Sequence, residues 1–383
     1  MTTANIEIDN KAAGPGPEDQ ERLDEEIFRD LVSVELSAEQ RARLVAPPAV
    51  HPRQRAVLAV HWHPEWIPIE LTMARLAASY PNRQNQLIIP TQHNELLCLG
   101  ELAGVEIDCY SSGFNRKVQL LLHMRAEAVE RADVLRSMLS HTFKYRGGQL
   151  WEFIDSIVEP AWDARMQEAA AETGANDEVV AFVRDCAARL RALLADHESD
   201  VPPMMIKNKL VSEFIAAQRP WRPERMISRA LLLAKAVKQI VKREFSLQYF
   251  YRASEVIEEA RGLGAGVVIP HPEQFWPILL ADYDVDGYEV WNPQSREYTE
   301  FLIGVLNRQN KSRAHGERRL LVFMGDDTHM SEKAKPPELQ DRQKAAREVG
   351  LQPAWDDPAI RKALMLAGMD RDRVIDQYRG RLA

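Results

Sequence analysis

RAVLAVHWHPEW occupies residues 55–66. The uninterrupted apolar run AVLAV suits a strand buried on both faces, and such strands belong to parallel sheets covered by helices. His61 and His63 stand two residues apart where that run ends. Residues i and i+2 of a strand share a face, so the two imidazoles project together as the chain leaves the core. That is a chelating arrangement; a pair of part-buried, hydrogen-bonded histidines is the alternative.

Six further runs have strand length and the same apolar character: QLIIPT (86–91), GVEIDCY (104–110), KVQLLLH (117–123), GVVIPH (266–271), VDGYEVWN (285–292) and RLLVFMG (319–325). Between KVQLLLH and GVVIPH, residues 124–261 place apolar residues at i, i+3, i+4 and i+7 amid abundant Ala, Glu and Arg, the pattern of a helical block. The expected organisation is a Gly-, Pro- and acid-rich disordered segment over 1–25 and a first α/β part over 26–123. A helical insertion over 124–261, a second α/β part over 262–330 and a helical tail over 331–383 follow.

The composition is that of an ordinary globular protein, 45% hydrophobic and 28% charged in 383 residues, with a net charge of −8 that disfavours general nucleic-acid binding. No stretch has the apolar length of a membrane span and the amino terminus has no signal-like core, so a cytoplasmic location is expected. Cys98, Cys109 and Cys186 show no C-x-x-C spacing, so any metal must be held by nitrogen and oxygen.

Histidines gather at the strand ends. His61, His63, His93, His123, His271 and His329, six of the ten, lie at or just past the carboxyl end of a strand run; His51, His141, His197 and His315 do not. Glu106, Glu289, Asp326 and Asp327 join them. A parallel barrel gathers its strand ends at one rim, and so many titratable groups together call for cations.

The order and setting of these residues resemble the PHP superfamily, the polymerase and histidinol phosphatase type of metal-dependent phosphoesterase. HWH (61–63) is similar to its first motif, IPTQHNE (89–95) to the segment that usually reads T-D-H, and GVEID (104–108) to its G-x-E strand. LLLHM (120–124), VVIPHPEQF (267–275) and GDDTHM (325–330) are similar to its later motifs. The resemblance implies a distorted seven-stranded (β/α) barrel with a large all-helical insertion, holding two or three divalent ions of Zn, Mn or Fe. By motif position His61, His63, Glu106 and Asp327 would hold one ion, Glu106 with His123 and His271 a second, and His93 with His329 a third. Ala59 departs from the Asp the family has there, and Glu70 or Glu65 is the candidate for a further carboxylate ligand. Asp326 and Glu289 are expected to support the ligands from behind.

Metal ions at such a rim activate water and offset phosphoryl charge, so the expected activity is hydrolysis of a small phosphorylated anion. An amidohydrolase-like enzyme and a non-catalytic metal-binding module are the alternatives. Phosphate contacts are sought in Arg116 and Lys117, and in Arg219, Arg222 and Arg225 around Trp221, within a segment (204–243) holding ten Lys or Arg against two Glu. The helical block would cap the rim and choose the substrate, or else join copies into a homo-oligomer.

Overall fold

The computed structural model describes residues 17–314 and 316–382. Residues 1–16, most of the stretch expected to be disordered, fall outside that description. Its remainder, 17–25, instead opens the helix Pro17–Val32, whose first turn carries Glu18 and Asp19 against the positive end of the helix dipole and whose Phe28 is buried.

The chain divides into two compact units. One comprises the described residues up to Glu35 together with Lys144–Ser246; the other comprises Leu36–Phe143 and the described residues from Leu247 onward. The first is helical. Asn176 starts its helix Asp177–Asp196 by accepting a hydrogen bond from the Val179 amide at 3.2 Å. Val179, Val183, Cys186, Ala187, Leu190 and Leu194 form the buried stripe of that helix.

The second unit is mixed α/β and holds ten strands: β1 (Ala56–Ala59), β2 (Trp62–His63), β3 (Asn85–Ile88), β4 (Leu97–Leu99), β5 (Leu102–Ser111), β6 (Arg116–Arg125), β7 (Gly266–Ile269), β8 (Gly287–Trp291), β9 (Leu321–Met324) and β10 (Thr328–His329). They form three ladders rather than the expected closed barrel of seven parallel strands: β1 with β3, β10 with β2, and a six-stranded sheet in the order β4 to β9. A parallel bridge between His93 and Glu106 ties the end of β3 to β5.

The sheet is not all parallel. β4, β5, β6 and β7 pair antiparallel in succession, whereas β7, β8 and β9 pair parallel. β5 and β6 are joined by the turn at 112–115, where Asn115 takes φ 51°. A connection so short closes an antiparallel hairpin, whereas a parallel crossover needs roughly a dozen residues. β6 therefore runs against its neighbours, and its carboxyl end lies where the others begin.

β1 is buried on both faces. Ala56, Leu58 and Val60 enter the cluster built by β5 to β9, while Val57 and Ala59 pack with Leu44, Leu76 and Tyr80 of the flanking helices. The residues after 330 are as much a part of this unit as the strands: Trp355, Leu364, Val374 and Tyr378 all belong to the main core. Among the described residues no helix is long and apolar enough to cross a membrane.

At the amino-terminal side of β7 and β8, the fully buried Asp286 accepts from the Val267 amide at 2.9 Å and from Arg261, Arg318 and Arg381 at 2.7, 2.9 and 3.0 Å. Burial opposes its ionisation, but Arg261 foremost holds its carboxyl below the usual range. A depressed carboxylate pKa adds stability in full above the unfolded value of about 3.9, and loses it as the pH falls through the folded value. Asp286→Asn should cost about 3 kcal/mol in chemical denaturation at neutral pH, since Arg318 remains half in water, and should flatten the acid limb of stability against pH.

Candidate metal centre

The two histidines of HWH reach the interior through a break in strand alternation. Strict alternation would place them on the face of Val57 and Ala59, toward the helices. The chain leaves strand geometry at Val60–His61, and it is Trp62 that joins the cluster of Val57 and Ala59. His61 and His63 thus turn together to the opposite side. Thr91 holds the shifted segment, its amide donating to the Trp62 carbonyl at 2.9 Å and its Oγ1 accepting from the Trp62 amide at 3.1 Å.

Glu106 sits in mid-β5, fully buried, with the Asn94 amide donating to its carbonyl at 2.7 Å. Its two oxygens face different partners. Oε1 lies 3.5 Å from His271 Nε2 and 3.9 Å from His61 Nε2; Oε2 lies 3.5 Å from His63 Nε2 and 2.5 Å from His93 Nδ1. Asp327 closes the group, with Oδ1 3.4 Å from Nε2 of both His63 and His329 and 3.7 Å from Nε2 of His61. The glycines of two motifs are there for room. A Cβ on Gly104 would come within 2.4 Å of the Pro90 carbonyl, and one on Gly325 within 2.1 Å of Glu289 Oε1.

Most of these separations are too long for hydrogen bonds. Nε2 of His61, both ring nitrogens of His63 and both oxygens of Glu106 are buried without a hydrogen bond of acceptable geometry, even where His93 Nδ1 comes to 2.5 Å. Orphaned polar atoms of this kind are rare and costly. Two ligand atoms on a tetrahedral ion with bonds near 2.1 Å lie about 3.4 Å apart, which is the spacing seen here. Among the described residues, His61/His63/Asp327, His61/Glu106/His271 and His63/His93/His329 each bring three ligand atoms within 4.8 Å of one another. The donor set therefore fits divalent ions.

Backbone strain concentrates at the same place. Five described non-glycine residues have positive φ; Glu65 (56°), His271 (27°) and Asp327 (48°) belong to the site, and Asn94 (55°) adjoins His93. Conformations of that sort persist only where the surroundings enforce them, and they gather at functional sites.

Burial works against the His61 imidazolium, yet Glu289 above all raises it to about 10, and Asp327 and Glu65 raise His329 to about 9 against the same penalty. Burial, with His93 and His329 nearby, lowers His63 to about 3 and keeps it neutral. Despite burial, the surrounding imidazoles hold Glu106 and Asp327 well below the usual carboxylate range. The side chains of His61 and His63 are wholly buried whereas those of His93 and His329 are 25% and 18% exposed, so the cluster meets solvent on the His93 and His329 side.

The structure thus brings together His61, His63, His93, Glu106, His271, Asp327 and His329. It does not bring in His123. Because β6 is antiparallel, His123 pairs with Gly104 and Gly266, at the start of β7. Its Nε2 donates to the Val60 carbonyl at 2.9 Å and its Nδ1 accepts from Tyr378 at 2.7 Å, while burial lowers its pKa to about 3, so both nitrogens are engaged in a neutral ring. Glu70 is exposed on the first turn of the helix Ile69–Ser79 and is not among the clustered residues. Glu65 is the carboxylate that approaches, its Oε1 3.4 Å from His329 Nδ1 and its Oε2 accepting from the Ser331 amide and hydroxyl.

Glu289 lies behind the cluster, accepting from His61 Nδ1 at 2.6 Å and from the His271 amide at 3.0 Å, which turns Nε2 of His61 inward. Asp326, raised to about 7 by burial, accepts from the amides of Thr328 and Gly350 and touches none of the clustered rings. Arg116 is exposed and Lys117 Nζ lies 2.8 Å from Asp108; neither touches the cluster. Arg219, Arg222 and Arg225 are exposed residues of the helical unit, with Arg219 paired to Glu224 at 3.2 Å. Two groups went unread in the sequence: Arg347 and Gln294, which hold Asp327 at 2.6 and 3.0 Å. Nothing in their local sequence marks them, since the contacts join segments distant along the chain.

No protein-family model matches the sequence, and no curated protein matches it. Among solved structures it is similar to a "putative metal-dependent phosphoesterase" from Bifidobacterium adolescentis, with 17% identity, 88% of this chain and 90% of that one covered, and a TM-score of 0.36. A likeness of that degree fixes neither fold nor chemistry, which rest on the geometry above.

Two substitutions separate the roles of neighbouring residues. Glu106→Gln should strip more metal than a change at any other clustered residue, because both oxygens face imidazoles. His123→Leu should leave metal content unchanged while costing about 1–3 kcal/mol through the stranded Val60 carbonyl and Tyr378 hydroxyl. Elemental analysis and thermal unfolding of both variants check the pair.

Proposed function

We propose that this protein is a metal-dependent phosphoesterase acting on a small phosphorylated anion. The observation that carries the reading is the two-sided Glu106 carboxylate, with Oε1 toward His61 and His271 and Oε2 toward His63 and His93, an arrangement suited to bridging adjacent ions rather than holding one. His61, His63 and Asp327 would hold one ion, Glu106 with His271 a second, and His93 with His329 a third, each imidazole serving one ion. Imidazole with carboxylate suits Zn, Mn or Fe. When bound, such ions lower the pKa of water toward neutrality and offset charge developing on a phosphoryl oxygen.

The residues supply the rest. Glu289 fixes the His61 tautomer, burial keeps the His63 ring neutral and ready to donate a lone pair, and Glu106 offers one oxygen to each side. Part-exposed His93 and His329 leave the entry side open to substrate. His329, two residues beyond Asp327 and joined to the same cluster, favours this reading over an amidohydrolase site with a lone closing aspartate. The resemblance of six motifs in order to the PHP superfamily supports the same chemistry.

Hydrolysis of phosphomonoesters or phosphodiesters in a substrate panel should vanish on chelation and return with added Mn or Zn. Turnover confined to amides or lactones would overturn the assignment in favour of an amidohydrolase. Full metal occupancy with no turnover across the panel would overturn it in favour of a binding module.

A further inference from the structure

We infer that Arg347 and Gln294 are positioning residues that hold Asp327 so that it offers a single oxygen to the metal cluster. The inference rests on the metal-binding reading above and adds to it two residues outside every motif of the site.

Asp327 needs holding. At φ 48° it occupies a region that costs a residue with a side chain about 1–3 kcal/mol, and its carboxylate stands among three imidazoles with rotational freedom of its own. Each of its other polar atoms is tied. The amide donates to the His61 carbonyl at 3.0 Å, which fixes it to the strand end it must face. Nη1 of Arg347 donates both to its carbonyl, at 2.9 Å, and to Oδ2, at 2.6 Å. One nitrogen therefore clamps the strained main chain and the carboxylate plane together. Gln294 Nε2 donates to the same Oδ2 at 3.0 Å from the loop after β8. Only Oδ1 is left, and it is the atom that faces His61, His63 and His329.

The clamp is itself anchored. Arg347 is 6% exposed, and its carbonyl accepts from Lys333 Nζ. The next residue, Glu348, makes a two-pronged pair with buried Arg75, at 2.7 Å on each oxygen. A guanidinium offers fixed donors that lose little freedom on binding, where a lysine ammonium would hold the carboxylate without defining its plane. Groups that orient a ligating carboxylate in this way commonly contribute 10–100-fold to metal affinity.

The test titrates Mn²⁺ or Zn²⁺ into chelator-stripped full-length protein by calorimetry, with Co²⁺ absorption as a report of ligand geometry and circular dichroism as a report of folding. Arg347→Met should weaken binding about 10–100-fold and alter the Co²⁺ band, Arg347→Lys should recover part of the affinity, and Gln294→Leu should weaken binding about threefold to tenfold. Gln294 is exposed, so its substitution remains informative if Arg347→Met does not fold. Wild-type affinity and an unchanged Co²⁺ band in folded Gln294→Leu and Arg347→Lys would overturn the inference while the metal reading stands. A wild-type protein that takes up no metal would overturn both.

Discussion

One carboxylate organises the α/β unit. Glu106 is fully buried in the middle of a ten-residue strand, and among the described residues the groups facing its carboxylate are the imidazoles of His61, His63, His93 and His271. An isolated ion in that position would cost several kcal/mol, so its surroundings must be arranged with small tolerance. The local structure follows from that demand: the break that turns His61 and His63 inward, the bridge that lays His93 against β5, and the left-handed turn at His271. Each element sacrifices regular geometry to bring one nitrogen toward the same point.

The supports are distributed along the chain in a way the strands alone do not disclose. Glu289 comes from β8, Gln294 from the loop beyond it, and Arg347, Gly350 and Tyr378 from the residues after the last strand. The carboxyl-terminal region is therefore not an appendage to a finished α/β domain. Removing it would release Asp327, Asp326 and the ring of His123 together, which makes the terminus part of the same cooperative unit as the site.

Much of the site was legible in the sequence because its ligands follow apolar runs, and a strand end is a place that pattern reading locates well. His61, His63, His93, Glu106, His271, Asp327 and His329 lie on or follow such runs, and the structure brings them together. The failure at His123 has a definite physical source. Apolar runs carry no direction, and parallel strands were assumed throughout. The six residues between GVEIDCY and KVQLLLH were too few for a parallel crossover, so the antiparallel turn was in fact readable. Arg347 and Gln294 are a different case. They are recognised only by what they touch, and no local spacing encodes a contact between residues 20 and 33 positions from Asp327. The preference of Glu65 over Glu70 likewise depends on the left-handed conformation of Glu65, which turns its carboxylate back toward His329.

The protonation pattern shows why such a cluster can persist in a folded chain before it meets a metal. Glu289 foremost raises His61, Glu106 raises His271, and Asp327 with Glu65 raises His329, while burial lowers His63 between them. The nitrogens of His61, His271 and His329 would give up their protons on taking a divalent ion, so positive charge would be exchanged rather than added. The strained φ values at Glu65, His271 and Asp327 hold the ligand atoms at metal-like spacing. Preorganisation of that kind is what lets a site bind without first refolding, because the ordering cost is met by strand pairing and core packing that exist for other reasons.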